Sequence, residues 1–133
     1  MEKVRNILGL IGGLLLILSG FAHSLAGWKQ LKVDLAKAQV PPDLTFGLKV
    51  GWHFGGVSML VLGMITIMLF AKRLRGTDAS TFPAIVIAVA YLCFGAWALL
   101  ASSFNPFYLA FIVPGILLVM AGWSRSSSSS LSI

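Results

Sequence analysis

Apolar residues fall in four long runs along this chain, with short polar segments between them. A helix needs about 20 mostly apolar residues to cross a hydrocarbon layer. The runs therefore predict spans at about 5–28, 46–70, 82–101 and 106–123. Within each run the small residues repeat at helical rather than strand spacing. Gly9, Gly13, Gly20 and Gly27 share one stripe of the first helix, and His23 lies on or beside it. His53, Gly56, Leu60 and Gly63 share a face of the second. Ala84, Ala88, Tyr91, Gly95, Ala98 and Ser102 share a face of the third, with Tyr91 as its bulky polar member. Stripes of this kind let apolar helices approach closely. The expected fold is all-α, an antiparallel four-helix membrane bundle in one domain over residues 1–123.

The polar segments predict the ends of these helices. Residues 29–45 form an amphipathic outer connection, with Leu31, Leu35 and Ala38 at helical spacing. Helix one either continues through this segment or bends at Gly27. Pro41-Pro42 stops any helix there, because the residue before a proline is pushed out of helical geometry. Asp43 is the expected N-cap of helix two, and Gly76 its stop. Ser80 or Thr81 opens helix three, with Pro83 in its first turn. Asn105 caps helix four, Pro106 takes its first position, and Pro114 is expected to kink it. The tail at 124–133 is serine-rich and reads as disordered. The N-terminal stretch resembles a signal peptide, but its apolar run continues to Trp28, longer than a usual signal core. It is expected to remain as the first span.

Composition agrees with a membrane location. The chain is 58% hydrophobic and 11% charged, against about 25% charged in soluble domains. Its ten Lys and Arg against four Asp and Glu give a net charge of +6. With four spans, both termini share a side with six of the basic residues, Lys3, Arg5, Lys72, Arg73, Arg75 and Arg125. The other side holds four, at 29, 32, 37 and 49, partly offset by Asp34 and Asp43. The positive-inside rule then places both termini in the cytoplasm, as in a bacterial inner-membrane protein. The excess charge suits anionic lipid, and nothing further points to nucleic acid.

Candidate chemistry centres on the only two histidines, in "GFAHSLAGW" and "VGWHFGG". Ionisable residues inside a span are functional candidates by default. His23, Ser24, Trp28, Trp52 and His53 gather toward the outer end, with Asn105 and Tyr108; Tyr91 lies deeper. Two imidazoles suit the axial positions of a haem b. Histidine, serine, tyrosine and tryptophan equally suit a quinone or a lipid head group. A closed zinc site needs about four ligands, so no metal is expected. Cys93 lies alone in an apolar run and is expected to be buried; no disulfide within the chain can form. No acid lies in a span, and no nucleophile has a positioned base, so an enzyme is not expected. Packing alone also accounts for every feature: histidines bonded across helices, tryptophans in an aromatic belt, glycines at contacts. On this sequence the favoured role is a small non-enzymatic scaffold or accessory subunit. It would associate with itself or with a larger membrane complex. The alternatives are a haem- or quinone-linked redox subunit and a protein binding a lipid or small hydrophobic ligand.

Overall fold

The computed structural model describes residues 1–123, and the serine-rich tail lies outside the described residues. The described chain is all-helical. Helix α1 spans Glu2–Ala22 and passes through a π-helical turn, His23–Gly27, into α2, Trp28–Lys37. Helix α3 spans Pro42–Leu74 and α4 spans Phe82–Ala101. A 3-10 turn at Pro106–Tyr108 leads into α5, Leu109–Gly122. Three helical stretches are long and apolar enough to cross a membrane: Glu2–Lys37, Pro42–Leu74 and Phe82–Ala101. Pro106–Gly122 is apolar but shorter.

Of the two courses the sequence leaves open after Gly27, the chain takes the continuous one. It does not bend there; the π turn carries the helix on to Lys37. A Schellman motif closes α2, with Gln39 in the left-handed region at φ 52°. The Gln39 N–H donates to Ala36 O and the Val40 N–H to Leu35 O, both at 3.1 Å. Gly76, at φ 82°, closes α3 the same way, as expected from the sequence. Asn105 also acts as expected, its Oδ1 accepting from the Phe107 N–H at 3.0 Å. Asp43 is not the cap of α3. Pro41 takes that position and Pro42 the first turn, so the Asp43 carboxylate sits inside the first turn. There it faces the partial positive charge of the unpaired amides. Thr81 precedes α4, but its hydroxyl donates to Gly122 O at 2.7 Å and ties α4 to α5 instead.

The helices pack antiparallel. Helix α1 is central, packed on α3 along one side and α5 along another; α4 packs on α5, while α3 and α4 scarcely touch. Glycine decides how close α1 and α3 come. A Cβ on Gly20 would lie 2.8 Å from Gly56 O, and one on Gly63 would lie 2.8 Å from Gly13 O. The two backbones therefore meet directly at these pairs, as the stripes implied. The core is built from Leu16, Phe70, Ala84, Ile87, Ala88, Tyr91, Leu118 and Ala121. Large apolar side chains cover the outside, among them Phe54, Phe94 and Trp97. Cys93 joins them, contrary to the buried position expected: it is exposed, because the inner face of α4 is taken by Tyr91, Gly95 and Ala98.

Buried residues are distributed unevenly along the bundle. Every one lies at the end near the termini or in the middle, and none occurs between Gly20 and Gly56. Helix lengths explain part of this. The first helix has 36 residues and α3 has 33, against 20 in α4. At a rise of about 1.5 Å per residue, the α1–α2/α3 hairpin extends roughly 20 Å beyond α4 and α5.

Candidate functional site

Where the long hairpin emerges from the bundle, the π turn faces α3. Two opposed bonds join them. The His23 ring nitrogen Nε2 donates to Trp52 O at 3.1 Å, since a carbonyl can only accept. The Trp52 indole Nε1 donates to His23 O at 2.7 Å. Their rings stack, with centroids 4.2 Å apart and planes 8° from parallel. Glycine makes room on both sides. A Cβ on Gly27 would lie 2.9 Å from the Trp52 ring, and one on Gly55 would lie 3.3 Å from His23 Nε2.

This clasp accounts for the π turn. His23 O serves two donors, the Trp28 N–H from its own helix and the indole from α3. A side chain that enters the carbonyl ladder displaces the regular bonding by one residue, which is how a π bulge forms. The bonds also put His23 level with Trp52. Directly beyond, Trp28 lies against His53, centroids 5.7 Å apart and tilted by 51°. Each histidine thus pairs with the tryptophan of the other helix.

Beside the clasp lies a partly open cavity of about 330 Å³ between α1, α3 and the start of α5. That volume is at the lower end for small-molecule sites. Helix α1 and its π turn supply one wall through Ser19, Ala22, His23, Ala26 and Gly27, with Gln30 at the mouth. Trp52 and Met59 line it from α3, and Phe107, Ala110 and Phe111 from the other side. The lining is almost wholly apolar. Ala110 carries a further feature: Pro114, four residues on, has no N–H to offer its carbonyl.

The structure separates the residues that the sequence grouped together. His23 and Trp52 line the cavity, while His53 lies outside it against Trp28. The two imidazoles therefore do not face one void. Ser24 packs against Gly56 on the α1/α3 seam. Asn105 is spent on capping, and Tyr108 lies beside Phe111 with ring centroids 6.5 Å apart. Tyr91 stands deeper in the core, 5.8 Å from Phe111, its buried hydroxyl without a partner among the described residues. Among those residues, no three of His, Cys, Asp and Glu stand close enough to hold a metal ion.

Sequence reasoning missed Ser19, Gln30, Met59 and Phe111. The first two carried a signal. Ser19, His23, Ala26 and Gln30 recur at spacings of four, three and four, one turn each on α1 and its extension. They form a second face beside the glycine stripe. No protein-family model, curated protein or solved structure matches this chain.

Proposed function

We propose that this chain is a small, non-enzymatic membrane protein that holds a small apolar molecule in the cavity beside His23. The observation that carries the proposal is the cavity itself. It stands beside a clasp that consumes His23 Nε2 and the Trp52 indole, yet the space between α1, α3 and α5 is left unfilled. Packing alone would close such a gap, since unfilled apolar space costs stability. We read the molecule as four spans, the short Pro106–Gly122 helix included. Both termini then lie in the cytoplasm of a bacterial cell on the loop-charge rule. A haem held by both histidines is not the reading we favour, because His53 faces Trp28 and not the cavity.

The test is native mass spectrometry of protein extracted with its own lipid, beside the variant Ala22→Phe. Ala22 is exposed and lines the cavity, so a phenyl ring there fills the void without entering the core. A bound molecule retained by the natural protein and lost from the variant supports the proposal. Identical spectra, with nothing bound to either, overturn it.

A second reading, an accessory subunit or homo-oligomer, is favoured by the seam where α3 and α4 scarcely touch. That seam leaves a cleft of about 260 Å³ lined by Met59, Leu62, Tyr91 and Phe94. Cys93, exposed on α4 but outside the cleft lining, reports on contact between the α4 helices of two copies. Oxidative cross-linking in the membrane yields a covalent dimer if two copies meet along α4, and monomer alone if they do not.

A further inference from the structure

We infer that the cavity beside His23 selects a neutral amphiphile bearing a hydroxyl group, an alcohol or a phenol, over its hydrocarbon, ether or carbonyl counterparts. This rests on the reading of the cavity as a binding site and adds the chemical class of its ligand. His23 donates through Nε2 to Trp52 O, and a neutral imidazole that donates through one nitrogen carries its lone pair on the other. Nδ1 is therefore an acceptor. It has no partner among the described residues and is not occluded. Ser19 lines the same cavity one turn earlier, about 6 Å along the helix axis. Its hydroxyl is likewise unpartnered and open among the described residues.

The mostly apolar lining thus carries an unpartnered imidazole nitrogen and an unpartnered hydroxyl on adjacent turns of α1. A hydroxyl satisfies both, giving its proton to His23 Nδ1 and accepting from Ser19 Oγ. A carbonyl or ether satisfies Ser19 alone and leaves Nδ1 unpaired. Charged head groups are disfavoured, because no lysine, arginine or acid lines the cavity and an unpaired charge there is costly. The one amide at the mouth is engaged, the Gln30 Nε2 donating to Asp34 at 3.1 Å and 3.3 Å. Ala110, on the far wall, brings no charge either.

The experiment uses the full chain in lipid nanodiscs and a long-chain primary alcohol with a diazirine in its chain, beside its methyl ether. Illumination followed by peptide mass spectrometry locates the label. We expect the alcohol to mark the segments around 19–26 and 107–111. Unlabelled alcohol should compete roughly tenfold better than unlabelled ether, the worth of about one hydrogen bond. His23→Leu should remove that advantage while the ether still labels, whereas Ser19→Ala, which leaves the clasp intact, should weaken alcohol and ether alike and preserve their ratio. Competition by a prenyl alcohol and by an alkyl hydroquinone then separates an aliphatic source from a phenolic one. If alcohol and ether label equally and His23→Leu does not change their ratio, the hydroxyl preference is overturned and the cavity stands as an unselective apolar site. If neither probe labels these segments above the level in Ala22→Phe, the binding reading falls and the preference with it.

Discussion

The two ends of this bundle are made from the same helices and behave as different materials. At the end with the termini, side chains close the structure. Arg73 on α3 donates to Glu2 at 3.1 Å, to Asn6 Oδ1 at 3.3 Å and to the carbonyl of Ala79. Arg5 reaches Ala121 O at 3.4 Å, and Thr81 holds Gly122 O. Asn6 is 4% exposed, and Phe70 and Leu118 are fully buried. At the other end, among the described residues, the side-chain hydrogen bonds between helices are those of the His23–Trp52 clasp, and a cavity stands beside it. The closed end spends its polar groups on one another. The open end leaves Ser19 and one face of His23 unspent.

Substitutions test the contrast directly, and the largest effect is expected at the seam of the closed half. Gly63→Leu drives a side chain into Gly13 O and the α1 backbone. Overpacking of this kind should cost roughly 3 kcal/mol or more, because backbone cannot step aside as a side chain can. Thermal unfolding in detergent would show it as a large fall in midpoint or as failure to recover monodisperse protein. Arg73→Ala comes next, at about 2 kcal/mol, since it leaves the buried Asn6 amide oxygen without its donor. Asn6→Leu added to it should recover part of the loss, because the orphaned group is then gone.

The clasp at the open end is worth less. Trp52→Phe removes the indole donor and keeps most of the ring, so about 1 kcal/mol is expected. Its clearer signature is local: amide exchange at 23–28 should quicken as the π turn loses its second donor, while residues near Phe70 stay protected. Gly51→Ala should cost nothing. A Cβ there meets no atom within 4 Å, and helix propensity favours alanine over glycine by about 1 kcal/mol. If Gly51→Leu proved as damaging as Gly63→Leu, the open end would be packed in a way this structure does not show.

Local hydrogen bonding and hydropathy made much of the architecture legible in advance. Pro41-Pro42, Gly76 and Asn105 end or begin helices because each restricts or satisfies backbone groups within four residues of itself. The glycine stripes announced the α1/α3 seam because a missing Cβ is a property of one position. Asp43 shows the limit even here, since two adjacent prolines displaced the cap it was expected to provide.

What the sequence by itself determined is therefore the set of helices, their apolar character and the faces on which α1 and α3 meet. Only the tertiary structure decided that His23 pairs with Trp52 and His53 with Trp28, that Cys93 points outward, and that a cavity opens beside Ser19. The reason is physical. Helix formation and transfer into an apolar medium are governed by each residue and its near neighbours. A cavity is the space that three helices of unequal length fail to fill together, and no single segment contains that information.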